Sequence, residues 1–284
     1  MSFARVVVLT LLAMIAFAGN SLLCRAALLY TDIDAASFTS IRLTSGAVLL
    51  LLLVRVRRGS FGREGNWLSA LALFAYAAGF SFAYISLSAA TGALLLFGAV
   101  QATMIGYGLW KGERLSVIQL LGLVLAIGGL VVLVLPGISS PPLFDSLLML
   151  SAGLAWGIYS LRGNSAADSV NETTGNFLRA VPMAFVLSMV MWDRTTLDST
   201  GVLYAVLSGA LASGVGYALW YTVLPALRAI DAATVQLSVP VIAAVGGVTL
   251  LAEPMSLRLI LISLAILGGI ALVIFQRHEL SSNN

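Results

Sequence analysis

The sequence predicts an all-α integral membrane protein of ten transmembrane helices, built as two inverted five-helix repeats. Three observations carry this expectation: ten apolar runs of spanning length, basic residues crowded on one side of the implied membrane, and an internal repeat at a fixed offset. The 284 residues are 60% hydrophobic and 10% charged, where a soluble domain would carry about 25% charged residues.

Charges and Pro/Gly clusters divide the chain into apolar runs at 6–24, 35–54, 66–88, 91–110, 115–135, 142–161, 173–192, 199–224, 232–252 and 259–276. Each approaches the ~20 residues that cross ~30 Å of hydrocarbon as a helix. None alternates with period 2, which argues against a β-barrel. The first run follows Arg5 and resembles a signal peptide with a small-residue site at Ala16-Phe17-Ala18. It continues past that site, however, and has a counterpart in the second half, so it is expected to stay as span 1. The third and fourth runs are separated only by a tight Ala89-Ala90 turn. The fifth opens on "ERLSVIQ", in which Ser116 caps and Gln119 reaches back to it. Glu113 and Glu253 end the fourth and ninth runs and read as capping charges.

With the N-terminus inside, Arg5, Arg55, Arg57, Arg58, Arg63, Lys111, Arg114, Arg162, Arg228 and Arg277 face one side, and Arg25, Arg194 and Arg258 the other. Ten against three is the positive-inside pattern, so both termini are expected in the cytoplasm and the chain in the inner (cytoplasmic) membrane. The net charge of +3 is thereby an orientation signal and does not point to nucleic acid. The lone Cys24 excludes an intrachain disulfide and reads as packing.

The repeat follows from alignment of the chain on itself. At an offset of 137, "AGNSLLCR" (18–25) meets "AWGIYSLR" (155–162), Arg42 meets Arg179, and "GFSFAYISL" (79–87) meets "GYALWYTVL" (216–224). After a three-residue insertion near Pro225–Ile230 the offset is 140, which pairs Glu113 with Glu253 and Gly128-Gly129 with Gly268-Gly269. The units are residues 1–140 and 141–284. Because five is odd, the second copy enters the membrane from the opposite face, and such inverted repeats place a substrate site between the halves near the midplane.

The ten spans in a 5+5 repeat, Ala155-Trp156-Gly157 in a first helix, an arginine in each second helix and "GERLSVIQLLGLVLAIGGLVVLV" together resemble the drug/metabolite transporter superfamily, most closely its EamA-type carriers. The resemblance covers nearly the whole chain. It departs where Gly19-Asn20 stand opposite Trp156-Gly157 and Val100 opposite Pro240. It implies a secondary carrier, most often an exporter of amino acids or other small metabolites, with helices 5 and 10 peripheral and no enzymatic activity.

Arg42 and Arg179 are the foremost candidate residues. They lie about 11 and 9 Å inside their spans at 1.5 Å per residue, and no Asp or Glu falls near the middle of any span. A charge at such depth costs about 2.5–3.5 kcal/mol on insertion scales. Either helix-end carbonyls or headgroups hold these arginines, or they attract a substrate carboxylate or phosphate. Asn20, Gln101 and Gln236 are amides near span centres that need partners in hydrocarbon; helix-to-helix bonds or a wet cavity would serve. Trp156, Tyr159, Tyr217 and Trp220 could stack on a flat substrate, whereas Tyr221 reads as an interfacial anchor. Pro240 interrupts span 9 near its middle and is a hinge candidate or a static kink. The small-residue stripes Ala75/Gly79/Ala83, Ser208/Ala212/Gly216 and Gly122/Ala126 read as close helix packing.

His278, the only histidine, lies in a polar tail, so no metal or other cofactor is expected. No Walker or dinucleotide motif appears, and no midspan carboxylate that would carry a proton. The expected partners are a small-molecule substrate and the lipid bilayer. Homo-oligomerisation stays open, because glycine stripes serve contacts within or between chains equally well. The alternatives are efflux of lipophilic drugs, metabolite import, or a non-transporting scaffold.

Overall fold

The computed structural model describes residues 2–58, 64–112, 114–135, 140–163, 168–227 and 234–282. The first half comprises α1 (Phe3–Tyr30), α2 (Ala35–Arg58), α3 (Trp67–Ala83), α4 (Ala89–Trp110) and α5 (Val117–Val134). The second comprises α6 (Leu143–Gly163), α7 (Ser169–Val190), α8 (Ser199–Ala226), α9 (Ser238–Leu251) and α10 (Leu257–Ser282). The described residues contain no strand. Helices close their own backbone bonds, which hydrocarbon requires of any lipid-exposed span.

Side-chain caps set many of the starts. Asn66, Ser88, Asp168 and Asp198 each accept the backbone N–H three residues on. Ser116 and Gln119 form a complete capping box at α5, and the Gln119 amide goes on to donate to the Val273 carbonyl of α10 at 3.1 Å.

α1 and α10 run past the ends the sequence predicts, to Tyr30 and Ser282, and four further spans differ in ways that bear on the site. α3 stops at Ala83, short of residue 88, because Arg25 of α1 takes the Tyr84 and Ile85 carbonyls at 3.0 and 2.9 Å. α7 begins before residue 173. Its polar first turns, SVNETTGN, are tolerated because Asn171, Thr173, Thr174 and Asn176 face the interior at 3% exposure or less. α8 is interrupted by wide turns over Ser208–Val215, which no apolar pattern encodes. In the ninth span, Pro240 cannot donate to the carbonyl four residues back. The chain turns at Leu237 and α9 starts at Ser238. Pro240 therefore occupies the first turn of α9 and not its middle, where a missing N–H costs little. Part of the run at 232–233 lies outside the described residues, as do Glu113 and the insertion at 228–230.

Contacts follow the two-fold relation of the halves. α3 packs on α6 and α8 on α1; α4 on α6 and α9 on α1; α3 on α7 and α8 on α2. α2 with α7, α4 with α9 and α5 with α10 are the pairs that such an axis maps onto themselves. α5 and α10 sit at the edge, touching α4 and each other, with Leu121, Val124, Leu261 and Leu264 outward.

Close approaches use glycine where a side chain has no room. A Cβ on Gly122 would lie 2.6 Å from the Gly269 carbonyl, and one on Gly129 2.7 Å from Ile266 Cγ1. The neighbouring Gly128 and Gly268 face open space. A leucine at Gly122 should therefore wedge α5 from α10 and cost about 1–3 kcal/mol. A leucine at Gly128 should cost nothing measurable. Melting temperatures of the two variants in detergent check this pair of outcomes.

Candidate substrate site

The centre of the molecule is organised around one buried charge. Arg42, eight residues into α2 counting from Ala35, is 2% exposed. Its Nη2 donates to the Tyr76 hydroxyl of α3 at 2.8 Å. The guanidinium carbon lies 5.1 Å from the Tyr76 ring centroid and 4.8 Å from that of Phe80. Ring faces attract a cation more strongly when water is excluded. Nη1 has no hydrogen-bond partner among the described residues.

A chain of hydrogen bonds runs from this charge into the second half. The Tyr76 oxygen also accepts from Asn20 Nδ2 of α1 at 3.1 Å, and Asn20 Oδ1 accepts from Ser208 Oγ of α8 at 2.6 Å. The wide turns of α8 make this register work. In a regular helix of 3.6 residues per turn, positions nine apart lie on opposite sides. Turns that take more residues bring Ser208 and Tyr217 round to the same side. Gly209 permits the approach: a Cβ there would overlap the Arg42 carbonyl and the Ser45 hydroxyl.

Aromatic rings enclose the rest. Tyr76 lies 4.8 Å from Trp156 of α6, which stacks on Tyr159 at 5.4 Å and on Tyr217 at 5.2 Å. Phe17 of α1 touches Tyr217 at 5.8 Å and Trp220 at 6.1 Å, and Phe177 of α7 meets Tyr217 edge-on at 5.9 Å. Tyr221, half-buried near the end of α8, stacks on Tyr217 at 6.4 Å and so adjoins this interior group.

Of the residues singled out from sequence, Asn20, Arg42, Trp156, Tyr159, Tyr217 and Trp220 come together here. Arg179 does not join them. It donates to the Glu64 and Gly175 carbonyls at 2.8 and 2.9 Å and ties α7 to the segment before α3. Gln101 is buried on α4, outside these ring and hydrogen-bond contacts, and Gln236 is half-buried ahead of α9. Tyr76, Phe80, Phe17, Phe177 and Ser208 complete the cluster and were not foreseen. Tyr76 gives one usable signal, an aromatic hydroxyl at the middle of a short apolar span.

A second polar cluster closes one end of the molecule. Arg25 Nε pairs with Glu253 Oε1 at 2.9 Å, both side chains at most 12% exposed. Glu253 Oε2 accepts the Ala89 N–H at the start of α4 at 2.8 Å. A carboxylate at a helix N-terminus is favoured by the helix dipole. Glu253 thus caps α4, a helix of the other half, and not the helix it follows. Cys24, next to Arg25 of the clamp in α1, is fully buried.

Comparison with known proteins places this geometry. The EamA-like transporter family matches the chain twice, over residues 4–135 and 143–275. An uncharacterized protein of Pseudomonas aeruginosa is 56% identical over 274 residues, 96% of each chain. The uncharacterized transporter YoaV of Bacillus subtilis is 25% identical over 254 residues, 84% of this chain and 87% of its own. An uncharacterized transporter of Archaeoglobus fulgidus is 24% identical over 282 residues, 94% of this chain and 96% of its own. A protein of known crystal structure, 16% identical, superposes with a TM-score of 0.67 over 97% of this chain and 99% of that one, which shows the shared fold. With both repeats matched, ten helices in place and relatives named as transporters, the chain is a multi-pass membrane protein that belongs to the EamA-like transporter family.

Proposed function

We propose that this transporter exports small metabolites, amino acids or organic anions among them, across the cytoplasmic membrane by alternating access, with both termini in the cytoplasm. The observation that carries the reading is the buried Arg42 guanidinium, held by Tyr76 and Phe80 of α3, linked through Asn20 to Ser208 of the second half, and with one nitrogen unsatisfied among the described residues. Helices that meet across a pseudo-two-fold axis can rock about a central site and expose it to either side in turn. The ring of aromatics supplies apolar contact, and the single cation makes lipophilic cations the poorer cargo.

In this reading the Arg25–Glu253–Ala89 clamp seals one side. The distribution of arginines makes that side the outer one. It joins α1 to the α3–α4 turn, the start of α4 and the segment after α9, so opening on that side must break it. Drive comes from the substrate gradient or from exchange, since no midspan carboxylate is at hand for a proton.

Two outcomes test this. Cells overexpressing the protein should accumulate particular amino acids or organic anions in the medium, and Arg42→Gln at equal expression should abolish most of that excess. A profile indistinguishable from an empty vector would remove export of endogenous metabolites. Separately, Glu253→Gln should raise the rate at which an impermeant maleimide added outside reacts with Cys24, by about tenfold or more, since removing one partner strands a buried charge. Unchanged Cys24 reactivity would mean the clamp does not gate access.

A further inference from the structure

Three buried polar atoms lack a partner among the described residues: Thr10 Oγ1, Asn171 Oδ1 and Arg42 Nη1. Only the last belongs to a charged group. The one ion pair among those residues is Arg25–Glu253, and the free oxygen of that carboxylate is taken by the Ala89 N–H. Arg42 is therefore a cation at 2% exposure with no counter-anion. Burying a charge without a partner is expensive, and a bound anion would offset that cost.

The polar groups tied to this guanidinium, Tyr76 directly and Asn20 through it, have no acceptor to spare for Nη1. Tyr76 accepts from both Arg42 and Asn20, which leaves its own O–H to donate. Asn20 Oδ1 already accepts from Ser208. Two free donors and one positive charge fit a carboxylate. They fit a phosphate poorly, because its charge of about −1.5 to −2 would be left partly uncompensated. They offer nothing to an ammonium beyond ring faces. Beside the donors, Tyr76, Trp156 and Tyr217 follow one another at 4.8 and 5.2 Å. A flat ring can replace such ring–ring contact with its own at little loss, because offset stacking is the favoured geometry.

We propose that Arg42 Nη1 and the Tyr76 hydroxyl hold the carboxylate of an aryl monocarboxylate whose ring lies against Trp156 and Tyr217, and that an α-ammonium group is not required. This assignment rests on the carrier reading above and names its substrate class. Arg42 is retained as the charge partner of the cargo, and the unliganded protein bears the cost of keeping it dry.

The test uses the purified full-length protein and four phenyl-bearing probes of different charge: 3-phenyllactate (anion), phenylalanine (zwitterion), 3-phenyllactamide (neutral) and the smaller phenethylamine (cation), with inorganic phosphate as a fifth. Tryptophan fluorescence and thermal shift are read for the wild type, Arg42→Lys, Arg42→Gln and Trp156→Leu. Phenyllactate should bind at least as tightly as phenylalanine, while the amide, the amine and phosphate should not compete. Arg42→Gln should weaken phenyllactate by about tenfold or more, the scale of a lost charge-assisted bond, and Arg42→Lys should weaken it less. The unliganded Arg42→Gln protein should melt no lower than the wild type, since it sheds an uncompensated charge. A purely structural arginine would give a lower melting temperature and unchanged affinity.

Binding of phenylalanine or phenethylamine without phenyllactate would overturn the proposal, as would binding of phosphate alone or affinity indifferent to Arg42→Gln. Counterflow of labelled phenyllactate and phenylalanine in proteoliposomes separates the two readings. Phenyllactate bound but never moved would sink the carrier reading and keep the site. Phenylalanine moved without phenyllactate bound would do the reverse.

Discussion

The burial of the Arg42 guanidinium against the Tyr76 hydroxyl is the constraint around which the polar centre of the molecule is arranged. A cation this deep needs substitutes for water, and the protein supplies two ring faces and one oxygen in place of a carboxylate. The oxygen is shared. Because Tyr76 also accepts from Asn20, and Asn20 from Ser208, the position of the charge is linked to four helices, α1, α2, α3 and α8. The wide turns of α8 and the missing side chain of Gly209 follow from this arrangement. Without the first, Ser208 and Tyr217 would face apart; without the second, α8 could not lie against the Arg42 backbone.

The symmetry that builds the fold is broken at the arginines. Packing pairs repeat across the axis, and so do the close glycine contacts: Gly79 of α3 against Ala152 of α6, Gly216 of α8 against Ala16 of α1. The arginines do not repeat. Arg42 is enclosed by rings while its counterpart Arg179 bonds to two backbone carbonyls. Arg25 meets Glu253, whereas Arg162 bonds to Ser69 Oγ and Asn66 Oδ1 at 3.0 and 3.2 Å. A duplicated scaffold needs matched packing to fold, because small residues must meet small residues at each crossing. A substrate needs only one binding group, so the second copy of a charge is free to serve the backbone.

The spans were legible because hydrocarbon imposes length and polarity on every one of them, and the repeat because packing positions such as Gly79/Gly216 had to match. Arg42 was legible as an anomaly, since a charge within an apolar run has few explanations. Its setting was not. Tyr76 sits in "LFAYAAGF", where its hydroxyl at mid-span is a signal that it needs a polar partner but does not say which one. Ser208 read as one of a packing stripe spaced by fours, a spacing that loses its meaning once the turns widen. Pro240 showed where backbone bonding fails but not on which side the chain would yield; the break fell at Leu237. Each of these depends on contacts between residues far apart in sequence, and periodicity carries no information about them.

A single fixed charge in a dry centre also bears on how such a carrier would cycle. Moving the site from one side to the other passes through a state in which Arg42 is shut off from water on both faces. With an anion against Nη1 the pair is nearly neutral, and the occluded state costs little beyond ring packing. With the site empty, the same state holds an uncompensated cation, which is costly at low dielectric. The rings lower that cost, since cation–π contacts strengthen on desolvation to about 2 kcal/mol or more, but they do not supply opposite charge. If Arg42 holds an anionic cargo as proposed, the loaded carrier reorients more readily than the empty one, and that difference would couple outward movement of one anion to the return of another.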